Sequence, residues 1–264
     1  MRVAWLTDIH LNFLMPREVV AFLRSVARMA PDVTLVGGDI GEAPTIEEYL
    51  WEISDRLGTP VYFVLGNHDC YNGSIAGART RASHISGAVP NLRWLSEAGV
   101  VGLTDSTALV GDGGWADGRN GGYASSPVVL NDYLLVEEFV GLESAARLRL
   151  LNRLGDEAAK YLRRVLHRAL DSYPNVILLT HVPPFREACW HEGKISNDDY
   201  LPHFSCKAVG DALIETMRKR PRRTLTVLCG HTHSPGTAHI LPNLLVRTGA
   251  AAYGAPVVQD VFEL

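Results

Sequence analysis

The chain has 264 residues, of which 47% are hydrophobic and 20% charged, with a formal net charge of −4. This is the profile of a soluble globular chain with material for a substantial core, arranged as one large domain or two small ones. The charge argues against wholesale attraction to nucleic acid or an anionic membrane, and no apolar stretch has the length of a bilayer span or the form of a signal peptide.

The first third alternates strand and helix signals. Val3–Leu6 reads as a buried strand, Arg17–Met29 as an amphipathic helix after Pro16, and Val33–Val36 as a second strand. Thr45–Leu57 reads as a helix closed by Gly58, and Val61–Leu65 as a third strand. Such alternation implies βαβ units and a largely parallel sheet. Val100–Leu103 and Thr107–Val110 read as strands, followed by a Gly-rich stretch from Gly111 to Gly122. Apolar residues from Ala158 to Leu170 recur at helical spacing, with Asp156 placed to cap that helix. Val176–Leu179, a helix over Lys207–Arg218 and a strand over Leu225–Cys229 come next, and Thr237–Phe262 carries only short strand signals. The whole fits a mixed α/β sandwich better than one doubly wound sheet, and a single domain over 1–264 is expected. The four scattered cysteines form no CxxC pair, which suits reduced thiols and a cytoplasmic protein.

Five of these strands end in the same way. Val3–Leu6 leads to Asp8 and His10, Val33–Val36 to Gly38-Asp39, and Val61–Leu65 to Gly66-Asn67-His68-Asp69. Val176–Leu179 leads to His181, and Leu225–Cys229 to Gly230-His231-Thr232-His233. Ligands of open α/β sheets bind beyond the carboxyl ends of strands, so five clusters there can converge on one point. Imidazole and carboxylate donors suit Mn, Fe or Zn, and the set is too large for one ion and about right for two. Asp8-x-His10 or a lone His181 is weak by itself. All five clusters in this order, each at a strand end, form a strong signal.

In these motifs the chain resembles the calcineurin-like metallophosphoesterases, whose pattern is DxH, GD, GNH[DE], H and GHxH in that order. The resemblance runs from residue 8 to residue 233 with no member missing. It implies a four-layer α/β/β/α sandwich of two mixed β-sheets. It also implies that Asp8, His10 and His233 bind one divalent metal, that Asn67, His181 and His231 bind a second, and that Asp39 bridges them. His68 would be no ligand; it would protonate the leaving oxygen or steady the transition state, with Asp69 orienting its ring. The expected activity is hydrolysis of a phosphodiester or phosphomonoester, possibly nucleotide-like, by a hydroxide shared between the metals. A catalytically silent scaffold that binds a protein partner, and a nuclease, are the alternatives.

Two segments are candidate substrate-selecting loops, 111–127 and 186–206. Trp115, Arg119 and His191 are their candidate substrate contacts, weighed against the plainer possibility of ordinary surface loops. Arg79, Arg81 and His84 read as a solvated helix face, and so does the basic run Arg218–Arg223, which precedes a strand and so lies away from the clusters. A small phosphoester is the expected partner, with no membrane; nucleic acid is disfavoured, and the oligomeric state is not encoded in these motifs.

Overall fold

The computed structural model describes residues 1–264. In chain order its elements are β1 (Arg2–Leu6), α1 (Pro16–Arg28), β2 (Val33–Val36), α2 (Ile46–Leu57), β3 (Val61–Phe63), α3 (Ile75–Ala88), β4 (Leu92–Trp94) and α4 (Leu95–Ala98). Then follow β5 (Val101–Gly102), β6 (Thr107–Gly111), α5 (Asp132–Leu135), α6 (Ser144–Ser172) and β7 (Asn175–Leu179). A small hairpin of β8 (Trp190–His191) and β9 (Lys194–Ile195) precedes α7 (Leu201–Phe204), α8 (Lys207–Arg218), β10 (Thr224–Cys229), β11 (Gly236–Leu241), β12 (Leu244–Thr248) and β13 (Asp260–Glu263).

The apolar runs of β1 and β2 are buried on both faces, the signature of strands covered from two sides. They belong to a five-stranded sheet of order β13-β1-β2-β3-β4, parallel except for β13. A six-stranded sheet of order β11-β12-β10-β7-β6-β5 is parallel at its centre and antiparallel at both edges. Val3, Trp5, Leu35, Leu109, Ile177 and Leu228 fill the space between the sheets. Leu23, Leu50 and Ile85 of α1–α3 cover the outer face of the first sheet, and Leu162, Leu166 and Leu213 of α6 and α8 cover the second. This is the four-layer α/β/β/α sandwich expected from the motifs. Truncating a fully buried side chain such as Leu35 to Ala should cost about 2–5 kcal/mol.

Register places the carboxyl ends side by side. Leu6 is opposite Val36 and Val36 opposite Phe63, while Leu179 is opposite Gly111 and Leu228. The five polar clusters therefore leave both sheets along one rim.

Two readings of the middle region change. The helix expected around Ala158–Leu170 begins at Ser144, so Asp156 lies within it and cannot be its cap. Gly155 masks this continuity in the sequence. Its lack of a side chain serves packing, because a Cβ there would sit 2.6 Å from the Cβ of Asp117. The stretch 111–142 carries its own core, in which Trp115, Tyr133 and Phe139 pack on Leu150, Leu151 and Leu154 of α6.

Candidate metal centre

Two groups of donor atoms meet on the shared rim. In the first, donor atoms of Asp8, His10, Asp39 and His233 all lie within 4.8 Å of one another. His10 Nε2 is 3.3 Å from His233 Nε2 and 3.8 Å from Asp39 Oδ2, and His233 Nε2 is 3.5 Å from Asp8 Oδ1. In the second, Asn67 Oδ1 is 3.0 Å from His181 Nε2 and 2.9 Å from His231 Nδ1. Asp39 faces both groups, for its Oδ1 is 3.4 Å from His181 Nε2 while Oδ2 faces His10. The carboxylates, Asn67, His10 and His181 are buried.

The chain takes strained paths to bring these groups together. Eight non-glycine residues have left-handed backbone, and five of them are Asp8 (φ 49°), His10 (φ 40°), Asp39 (φ 51°), His231 (φ 70°) and His233 (φ 61°). Such conformations are uncommon for side-chain-bearing residues, and their concentration in one rim marks it as a functional region. Two motif glycines serve close approach. A Cβ on Gly66 would overlap Asp39 Oδ1, and one on Gly230 would overlap Asp8 Oδ2.

The donor set fits divalent cations. His181 Nδ1 lies 2.9 Å from the carbonyl oxygen of Gly37, and His231 Nε2 lies 3.1 Å from that of His203. A neutral imidazole has one N–H to share between two oxygen neighbours. With that N–H on the main-chain carbonyl, the remaining lone pair of each ring faces the Asn67 amide oxygen, itself an acceptor. Three lone-pair donors beside a buried carboxylate call for a positive charge, and imidazole, amide and carboxylate donors suit Mn, Fe or Zn.

Electrostatics agree. Burial, with Asp8 and Asp69 nearby, raises the Asp39 carboxyl well above the usual carboxylate range. Burial acts upward on Asp8 too, but His181, His233, His10 and the Thr7 hydroxyl at 2.6 Å hold it below that range. Burial pushes His10 and His231 down to about 3, so both rings are neutral and can bind metal near pH 7.

His68 stands beside this set. Its ring stacks on Tyr71 at 4.2 Å between centroids and 28° between planes, and its Nε2 is 3.9 Å from Asp39 Oδ2. Burial, followed by the neighbouring His10, His181, His231 and His233, pushes it down to about 2. The expected partnership with Asp69 is absent. Asp69 is fully buried, and its carboxylate accepts backbone N–H groups from Asp39, Ile40, Gly41 and Gly66 at 2.8–3.0 Å. Committed to four donors, it ties the Asp39 turn to the Gly66 turn and makes no hydrogen bond to the His68 ring.

A cavity of about 260 Å³ opens over both groups, lined by Asp39, His68, His231, His233 and Tyr253 among others. Of the three candidate substrate contacts His191 lines it, with Nδ1 3.2 Å from the Thr232 carbonyl oxygen. The other two candidates do not. Trp115 is buried against Phe139, 5.5 Å between centroids, because the Gly-rich stretch folds onto its own core. Arg119 is held by Asp117 at 3.1 Å and Asp156 at 2.8 Å, in a separate surface depression. Leu130, Asn131 and Asp132, just beyond the expected loop 111–127, line the cavity in their place. No motif signalled these residues, nor Tyr71 and Tyr253.

A family model described as calcineurin-like phosphoesterase matches residues 1–235. The chain belongs to the calcineurin-like phosphoesterase family. It is a metal-dependent phosphoesterase, and Asp8, His10, Asp39 and His233 form a compact cluster of donors that could hold a metal ion. No curated protein matches it in sequence. Among solved structures, the phosphoesterase is similar to the phosphopantetheinyl hydrolase of Mycobacterium tuberculosis, with a TM-score of 0.68 at 15% identity over 95% of this chain and 89% of that one. It is also similar to a protein of Thermus thermophilus, TM-score 0.56 at 14% identity over 94% and 88% of the two chains. A dimetal phosphatase from Danio rerio gives TM-score 0.56 at 13% identity over 97% and 89%. At these identities the likeness is one of fold. No helix of this phosphoesterase is long and apolar enough to cross a membrane.

Proposed function

We propose that this phosphoesterase is a dinuclear hydrolase of small phosphoesters. The observation that carries the reading is Asp39, whose two carboxylate oxygens face two separate donor groups. Asp8, His10 and His233 would hold one cation and Asn67, His181 and His231 the other, with Asp39 within reach of both. When bound, two such cations lower the pKa of a shared water toward neutrality and draw charge from the phosphate oxygens. The chain's own contribution is to fix the donors before substrate arrives and to place His68 over the reacting phosphate. Being neutral, His68 acts through its N–H, donating a hydrogen bond that steadies the charge developing on the leaving oxygen, which takes its proton from solvent. Asp69 positions this machinery by holding two turns together rather than by touching His68.

The cavity supports a small substrate with one phosphate and a ring. None of its lining residues is Arg or Lys, so extended phosphate chains and nucleic-acid backbones find no cationic side chain there. Two aromatic groups flank it. Tyr253 and Phe13, 51% and 50% exposed, lie 4.7 Å apart, with Tyr253 also 4.7 Å from His10. His191, which also lines the cavity, packs with Phe204 at 5.3 Å and with Tyr200 at 5.6 Å. Stacking of a planar group on such surfaces contributes about 1–3 kcal/mol, which favours a nucleotide-like or aryl diester.

The test is a panel of monoesters, diesters, pyrophosphates and DNA, each with Mn²⁺, Fe²⁺, Zn²⁺ and Mg²⁺ separately. A phosphopantetheinyl ester belongs in it, since a protein of this fold carries that activity in its name. Ring-bearing diesters should turn over fastest, and DNA not at all. Preference for pyrophosphates or DNA would overturn the substrate assignment, and no turnover with any metal would favour a silent scaffold.

A further inference from the structure

Asn67 is the one donor in the centre whose two side-chain ends are nearly identical in shape and opposite in function. Turned one way it offers a carbonyl oxygen to His181 and His231; turned the other it offers an NH₂ that cannot hold a cation. Backbone geometry does not choose between these, since the amide occupies the same volume in both.

The choice is made behind it. Asn67 Nδ2 donates to Asp132 Oδ1 at 2.8 Å and to the Tyr71 hydroxyl oxygen at 3.1 Å. The same Asp132 oxygen accepts the Tyr71 hydroxyl at 2.6 Å. Asp132 is 3% exposed and comes from α5, 65 residues along the chain from Asn67. An ionised carboxylate accepts and cannot donate. A flipped Asn67 would set two acceptor oxygens against each other in a buried place, at a cost of the order of an unsatisfied charged hydrogen bond. Asp132 also fixes the hydroxyl of Tyr71, and the Tyr71 ring carries the stacked His68.

We propose that Asp132 is a positioning residue that sets the polarity of the Asn67 amide, and so builds the second metal site, while anchoring the Tyr71 ring under His68. The proposal rests on the dinuclear reading above. Substitution Asp132→Asn keeps the volume but replaces a pure acceptor by a group that can itself turn. Asn67 then loses its enforced direction, and metal held through its oxygen weakens, by roughly 10–100-fold for an outer partner of this kind. The Asp8, His10 and His233 group is untouched. Tyr71→Phe is the control, for it keeps the ring under His68 and leaves Asp132 on Asn67.

The experiment is calorimetric titration of the metal-free full chain with Mn²⁺, beside thermal melting of each variant. In Asp132→Asn one of two binding steps should weaken at least 10-fold with the other unchanged, and melting should stay near wild type. Tyr71→Phe should keep both steps within a few-fold. Wild-type binding in Asp132→Asn, or equal weakening of both steps with a large fall in melting temperature, would overturn the proposal and leave Asp132 a structural residue. A single step in the wild-type protein would instead overturn the dinuclear reading, and this inference with it.

Discussion

The two donor groups share Asp39 but are held in different ways. In the second, every donor is gripped from behind: His181 by the Gly37 carbonyl, His231 by the His203 carbonyl, and Asn67 by Asp132. In the first, His10 Nδ1 is buried with no partner, and the His233 side chain remains 24% exposed. Its histidines rest on left-handed turns and on carboxylate charge, and only its carboxylate Asp8 is held by hydrogen bonds, from the Thr7 hydroxyl at 2.6 Å and the His231 N–H at 2.9 Å. The second site has an outer hydrogen bond behind every donor, whereas the first leaves its two histidines without one. Donors fixed by outer hydrogen bonds are pre-oriented and release metal reluctantly, whereas exposed donors without such partners release it more readily.

Asp39 belongs to both groups, so its loss should have the largest effect. Asp39→Ala should lower occupancy of both sites together and reduce kcat/KM by roughly 10⁴-fold, about 5 kcal/mol of barrier. Metal analysis after gel filtration checks it; two ions per chain at wild-type affinity would remove Asp39 from its bridging role. His68 belongs to neither group. His68→Ala should keep both metals and lose roughly 10²–10⁴-fold in rate, more for esters with poor leaving groups. Loss of a metal in that variant would make His68 a ligand.

Asp69 tests the scaffold beneath both groups. Asp69→Ala abandons four buried backbone N–H groups, so melting should show a loss of about 3–5 kcal/mol. Unchanged stability with a lowered rate would restore the role of orienting His68. The smallest effect separates the two sites directly. Under dilute chelator, the ion held by His10 and His233 should leave first, roughly 10-fold faster or more than its neighbour. A single common rate would erase the distinction between the two sites.

Much of this is legible in the sequence. The runs Val3–Leu6, Val33–Val36 and Leu225–Cys229 are apolar enough to be buried strands, and each stops at metal-donor residues. Sheet, rim and donor set follow from those facts. Asp132, Tyr71 and Tyr253 are not legible, because each acts by a contact between distant segments and carries no motif of its own. Trp115 misleads because a tryptophan among glycines suggests an open loop, and only the partners Phe139 and Leu150 reveal a local core. The left-handed conformation of Asp8, His10 and Asp39 is hidden too, since sequence assigns that region to glycine.

Two metals together across Asp39 would be coupled to each other. Electron paramagnetic resonance of the protein loaded with Mn²⁺ tests this most directly. At two equivalents per chain the spectrum should be that of an exchange-coupled pair, with the isolated-ion signal largely gone. An isolated six-line Mn²⁺ signal that saturates at one equivalent would contradict it.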